Sequence, residues 1–272
     1  MERKPFRLIS LTFLTRIEGQ TMDYLKRLDA ANTIMTEASA LALQLFHERS
    51  QFVAEEKTAS EFVSEADRRV EALIRETLVT WFPDDHVMGE EMGGGGSDAF
   101  WSIDPIDGTV NFLRGSPLWG VSIGFVENGL SRVGVIAYPC LGLRLGAATG
   151  TGIFKNGAPY QRRVDFPSVR LASVGESVRW PAREVAEVEL ALREAGWGVT
   201  EYRCGTVGLG FAALGMTDGY VEKNTSIWDI AAGSVICEEA GLLVVTSGSH
   251  EVAGQNIVAA TEDIHRIVAP CF

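Results

Sequence analysis

The chain is sparing with the side chains that most often advertise chemistry. Its four cysteines, Cys140, Cys204, Cys237 and Cys271, are far apart and form no C-x-x-C pair. That argues against a zinc ribbon and a disulfide scaffold and fits a reducing, cytoplasmic compartment. Its four histidines, His47, His86, His250 and His265, show no H-E-x-x-H or other ligand spacing. A metal site in this chain must therefore be built mainly from oxygen, which selects magnesium, manganese or calcium. Positive charge is also short: 24 Lys and Arg against 36 Asp and Glu leave a formal net charge of -12. Such a balance lacks the basic footprint of a nucleic-acid binder. An acidic protein acting on an anionic substrate needs local positive charge, and a bound cation is one way to supply it. No apolar run is long enough to span a membrane. The run Leu8 to Leu14 follows basic residues, but it is short, is interrupted by Ser10 and Thr12, and lacks a small-residue cleavage site. Residues 1–21 therefore read as an N-terminal extension rather than a signal peptide.

What is present is a globular pattern, with 46% hydrophobic and 22% charged residues over 272 positions. Apolar residues recur near a 3.6 period at Leu25, Leu28, Ala31, Met35, Ala38 and Leu45, which predicts a long helix from Met22 to His47. A second helix is predicted from Ala66 to Trp81 with Ser64 as its N-cap. Met88 to Ser97, with paired glutamates and consecutive glycines, reads as a mobile loop. Strands follow at Phe100–Ile103, Val121–Val126, Arg132–Tyr138 and Leu143–Ala148, with turns at Asn128-Gly129 and Asn156-Gly157. Short connections make this run antiparallel. Beyond Val164 the pattern alternates: strands at Leu171–Val174, Val199–Arg203, Tyr220–Glu222, Leu242–Thr246 and Asn256–Ala260, helices at Pro181–Ala195, Val207–Leu214 and Ile230–Ala240. Helices before a meander, then alternation, indicate an α+β or layered protein. If two lobes exist they divide as 22–165 and 166–272.

Four acidic segments stand out: Ser64-Glu65-Ala66-Asp67, Gly89-Glu90-Glu91, Asp104-Pro105-Ile106-Asp107-Gly108-Thr109 and Trp228-Asp229. In the third, Pro105 pushes Asp104 into extended backbone and Gly108 permits a path closed to other residues. A rigid turn of this kind can aim both carboxylates at one point, where a hard cation relieves their repulsion. The same hexapeptide also reads as a plain strand-to-helix turn, with Asp107 a cap and Asp104 a surface acid. Taken singly, Asp229 reads as an N-cap, Asp67 as half a capping box, and Glu90 and Glu91 as solvated charges.

Together these segments resemble the inositol monophosphatase family of magnesium-dependent, lithium-sensitive phosphatases. The resemblance is carried by GEE at Glu90-Glu91, WSIDPIDGTVNF at Trp101 to Phe112, and WDIAAG at Trp228 to Gly233. EFVSEADRRVE, VSIGFVENG and GYVE support it, and the motifs keep family order from Met22 to Ile267. The resemblance implies a layered α/β/α/β/α sandwich of the sugar-phosphatase type with largely antiparallel sheets. In it, the 22–165 lobe would carry most metal ligands, and the 166–272 lobe Asp229 and the substrate contacts.

The resemblance also implies ligands for two or three Mg2+ ions, with Mn2+ as a substitute: Glu90, Asp104, the Ile106 carbonyl, Asp107 and Asp229. Thr109, hydrogen-bonded to Asp67, would orient or deprotonate the attacking water, with Glu90 also in the catalytic set and Glu91 supporting from behind. Main-chain N–H groups of Gly108 and Thr109 would hold the phosphate. Gly205, Thr206, Glu222 and Asp229 would meet the alcohol half of the substrate, although Gly205 to Glu222 is about two residues shorter than the family pattern. Leu242 stands where the family commonly has a second glycine. The implied reaction is hydrolysis of inositol-1-phosphate or a similar sugar or polyol phosphate by a homodimer. Histidinol phosphate, fructose 1,6-bisphosphate and a 3′-phosphorylated nucleotide are alternative substrates for the same machinery. A non-catalytic metal- or phosphate-binding regulator is the alternative of another class.

Overall fold

The computed structural model describes residues 11–48, 55–58, 61–63, 65–94, 97–248 and 253–272. Two helices open the chain, α1 (Leu11–Glu48) and α2 (Glu65–Trp81), with a short hairpin of β1 (Glu55–Thr58) and β2 (Glu61–Val63) between them. Helix α1 begins at Leu11, not at Met22, so regular structure reaches back into residues 1–21. The predicted N-cap, Ser64, lies outside the described residues. Leu28, Ala31, Met35, Ala38 and Leu45 of α1 and Val70, Ile74 and Leu78 of α2 are buried, as a 3.6 period requires, while Trp81 at the end of α2 is exposed.

The next elements are β3 (His86–Gly89), β4 (Ala99–Asp107), α3 (Thr109–Arg114), β5 (Gly120–Glu127), β6 (Leu130–Tyr138), β7 (Leu143–Ala148), β8 (Ile153–Lys155) and β9 (Ala158–Tyr160). Their strands form one sheet in sequence order, antiparallel throughout except that β3 runs parallel to β4. Part of the expected loop at Met88 is thus strand. Val87 and Met88 are buried and β3 pairs with β4 from His86↔Phe100 to Gly89↔Ile103. Asn128-Gly129 and Asn156-Gly157 all have positive φ, the geometry of tight hairpins.

A second sheet uses β10 (Leu171–Val174), β11 (Gly198–Thr200), β12 (Gly219–Ser226), β13 (Leu243–Ser247) and β14 (Ala253–Ala260), in the order β11-β10-β12-β14-β13. Strands β10, β11 and β12 are parallel, and the remaining pairs are antiparallel. Its helices are α4 (Ala182–Glu194), α5 (Gly205–Leu214), α6 (Ile227–Glu239) and α7 (Glu262–Val268).

Three buried clusters give the layering. Helices α1 and α2 pack on one face of the first sheet. Helices α5 and α6 lie between the two sheets. Helices α4 and α7 cover the outer face of the second. The result is the α/β/α/β/α sandwich, its strand pairs mostly antiparallel, that the resemblance implies. The middle layer is apolar nearly all round, as a helix enclosed on both sides must be. It also sits very close to the first sheet: a Cβ at Gly134 of β6 would lie 2.3 Å from the Ala232 carbonyl oxygen of α6. This close approach lowers the start of α6 onto the strands that carry the acidic motif.

Candidate active site

Strand β4 does not stop at Ile103 but runs through the D-P-I-D segment, with a break in register. Asp104 pairs with Ser122 and Asp107 with Gly120, so β4 takes one more residue than β5 over the same stretch. Residues three apart on a regular strand face opposite sides, whereas an inserted residue returns them to the same side. Ile103 and Ile106 accordingly both enter the core under α1 and α2, and Asp104 and Asp107 both face the middle layer. Gly108, at φ 85°, then turns the chain into α3. A Cβ there would stand 3.0 Å from that of Cys204 and add the strain of a left-handed backbone.

Helix α6 supplies the third acid. It begins at Ile227, so Asp229 lies inside the first turn and is not the N-cap; Ser226 is. The pair forms a capping box, with Asp229 Oδ2 accepting from the Ser226 N–H at 2.8 Å and from Thr225 Oγ1 at 2.6 Å. The Asp229 Oδ1 oxygen keeps its lone pairs for a ligand. Asp104, Asp107 and Asp229 each offer an oxygen, all within 4.8 Å of one another.

The electrostatics show what this convergence costs. Burial, followed by the charges of Glu90, Asp107, Asp229 and Asp67, pushes the Asp104 carboxyl well above the usual range. Burial and then Asp107 raise Asp229 to about 6. Asp104 Oδ1 accepts the Ile106 N–H at 3.1 Å, but Oδ2 is buried with no hydrogen-bond partner. A buried carboxylate oxygen left unpartnered among other acids is unfavourable unless a cation meets it. The donor set is all oxygen, so the residues fit a hard divalent ion.

The other predicted residues gather around this point. Glu90 lines the adjoining cavity, and its N–H donates to the Ile103 carbonyl at 3.3 Å. Asp67, in the first turn of α2, is buried and close enough to act on the Asp104 charge. The Thr109 hydroxyl donates to the Ile106 carbonyl at 3.1 Å rather than to Asp67, the i−3 bond open to a threonine at a helix start. The cavity, of about 260 Å³, is bordered by Glu90, Asp107, Gly205, Glu222 and Asp229. Glu222 is buried in β12 and accepts from the Tyr220 hydroxyl at 2.7 Å, and burial first, then Asp229, raise it to about 7. Thr206 stands apart from that wall. It is fully buried, and its main-chain N–H donates to Asp107 Oδ2 at 2.6 Å.

Several participants were missed in the sequence. Cys204 Sγ lies 3.1 Å from Asp107 Oδ2 and lines the cavity. The expected strand Val199–Arg203 ends at Thr200, and Tyr202 and Arg203 form cavity wall instead. Asn111 Nδ2 ties that wall to α3 through the Leu118 and Tyr202 carbonyls, at 2.7 and 2.8 Å. Arg179 also borders the cavity, donating to Ser226 Oγ at 2.8 Å. Glu71 of α2, which accepts the N–H groups of Glu91 and Met92, and its partner Arg75 do leave a sign in the sequence: a charged pair at i, i+4 on the apolar side of a helix.

The chain is similar to several known proteins over most of its length. A histidinol-phosphatase of Mycobacterium tuberculosis is 37% identical over 189 residues, covering 66% of this chain and 72% of that protein. A fructose-1,6-bisphosphatase/inositol-1-monophosphatase of Aquifex aeolicus is 33% identical over 222 residues, covering 79% and 83%. The crystal structure of the extragenic suppressor protein suhB from Bartonella henselae superposes with a TM-score of 0.79 at 25% identity, covering 90% of this chain and 98% of that one. The profile of the inositol monophosphatase family matches residues 23–270, and the chain therefore belongs to the inositol monophosphatase family.

Proposed function

We propose that this chain hydrolyses inositol-1-phosphate or a similar sugar or polyol phosphate with the help of Mg2+. Its family makes it a phosphatase, a phosphoric monoester hydrolase. The observation that carries the metal reading is the convergence of Asp104, Asp107 and Asp229, with one buried Asp104 oxygen unpartnered. Glu90, these three aspartates and the Ile106 carbonyl would hold two or three ions. When bound, the ions supply a nucleophilic water at neutral pH and neutralise charge on the phosphoryl group. The protein's own part is to place and to move protons. The Thr109 hydroxyl can turn from the Ile106 carbonyl toward Asp67, so that it would accept the proton of the attacking water as its own proton passes to the Asp67 carboxylate. Main-chain N–H groups of Gly108 and Thr109, opening α3, have no acceptor within the helix and hold phosphate oxygens. Glu222 accepts a hydrogen bond from a hydroxyl of the alcohol half, beside Gly205.

A second reading, histidinol phosphate or a bisphosphorylated sugar, draws support from the relatives bearing those names and from the cavity wall. Glu176 would meet an ammonium there, and Arg179 or Arg203 a second phosphate. A cytoplasmic homodimer belongs to the same proposal; the four free thiols fit the compartment. Among the described residues no helix is long and apolar enough to cross a membrane. A panel of inositol-1-phosphate, histidinol phosphate, fructose 1,6-bisphosphate and a 3′-phosphorylated nucleotide, assayed with Mg2+ and again with added Li+, tests the function. Preferred turnover of the inositol ester, suppressed by Li+, is the expected result. Absence of turnover on every member would overturn it in favour of a binding role.

A further inference from the structure

The turn that carries Glu90 is held from beneath by a side chain outside the acidic motifs. Glu71 of α2 is fully buried. Its Oε2 accepts the Glu91 N–H at 2.8 Å and its Oε1 the Met92 N–H at 3.1 Å. Arg75, one helical turn on, donates to Glu71 Oε1 at 2.8 Å and to the carbonyls of Val87 and Gly93 at 3.0 and 2.6 Å. The contact is tight enough that a Cβ at Gly89 would fall 2.1 Å from Glu71 Oε1. From the opposite side, the Glu90 N–H reaches the carbonyl of Ile103, the residue before Asp104.

A buried ion pair is a poor way to gain stability, because apolar side chains of similar volume pack there at no desolvation cost. What it does provide is geometry. Four main-chain groups around Glu90, from Val87 to Gly93, are bound to one carboxylate and one guanidinium. We propose that Glu71, clamped by Arg75, is the positioning residue that presents Glu90 to the cation. This rests on the Mg2+ reading above. Glu71 touches neither the substrate nor the ion; it acts through the turn.

The test is titration of Mg2+ into the full, EDTA-stripped chain by calorimetry, alongside the Mg2+ dependence of 4-nitrophenyl phosphate hydrolysis. Glu71→Gln keeps the shape but sets an amide N–H₂ against a main-chain donor. Arg75→Lys keeps the charge but has one nitrogen where two guanidinium nitrogens span the acceptors, and its partly exposed position spares the fold if Glu71→Gln does not. The expected result is Mg2+ affinity lowered about tenfold or more, as for other residues that orient metal ligands. KM for the aryl ester at saturating Mg2+ stays near the wild-type value. Unchanged Mg2+ affinity in either folded variant overturns the assignment, and a fall in melting temperature alone makes Glu71 merely structural. A wild-type chain that binds no Mg2+ rejects the metal reading itself, which separates the two failures.

Discussion

The main-chain N–H of Thr206 donates to Asp107 Oδ2 across 2.6 Å, which fastens the last residue of a strand in the first sheet to the opening turn of α5. The acidic site therefore needs both the motif strand and the middle helical layer. A hydrogen bond to a carboxylate, made by a backbone amide that only a change to proline removes, is a stiff constraint.

Replacing Thr206 by proline deletes that donor, in a helical turn where proline is tolerated. Thr206→Pro should weaken Mg2+ binding about tenfold to a hundredfold, the range for a lost bond to a charged group. Thr206→Ala, which keeps the N–H, should stay near wild type. Equal behaviour of the two in a Mg2+ titration would remove this bond from the account.

Asp104→Asn should abolish Mg2+-dependent turnover while the chain stays folded. Its carboxyl is raised well above the usual range by burial and four neighbouring acids, so removing the charge relieves repulsion. The melting temperature of the variant in EDTA should equal or exceed that of the wild type. Normal turnover by a folded Asp104→Asn protein contradicts the metal assignment.

Thr109→Ala should leave Mg2+ affinity close to normal and lower kcat by about a hundredfold, the lower end of what general acid–base help supplies. Calorimetry and steady-state kinetics separate the two quantities. An unchanged kcat would take Thr109 out of proton transfer.

Glu222 gives a pH prediction with a definite sign. Its carboxyl rises from 4.5 to about 7 on folding, chiefly through burial. The folded chain thus holds a proton that the unfolded chain has lost. Its contribution to stability is fully present below about pH 4.5 and is lost as pH rises through about 7, a swing of roughly 3 kcal/mol at most. Chemical denaturation of the metal-free protein between pH 4 and 8 should show this slope, and Glu222→Gln should flatten it. The same variant should lose more activity on a polyol phosphate than on an aryl phosphate; equal losses would speak against a contact to the alcohol half.

Much of the acidic site was legible because each of its segments carries a local rule. Pro105 and Gly108 mark an irregular strand end, and Asp229 ahead of an apolar run marks a helix start. Asn128-Gly129 spells a hairpin. Yet the helix begins at Ile227, three residues before the predicted Ile230, because Ser226 rather than Asp229 caps it. The resemblance puts Thr206 against the substrate, whereas its buried N–H turns to Asp107, because nothing along the chain reveals which atom a backbone amide faces.

The sequence by itself determined the longer elements, their order, and the acids that any cation would need, since these follow from periodicity, turn chemistry and residue identity. Tertiary structure decided which of those acids meet. Whether Asp104 and Asp107 share a face depends on one residue of register against β5, and pairing register is set by the partner strand. Whether Asp229 joins them depends on how near α6 comes to the sheet, which Gly124 and Gly134 permit by leaving no side chain in the way. Glu71 and Arg75 gained their place only when α2 packed beneath the turn of Glu90, for a buried charge is defined by what surrounds it.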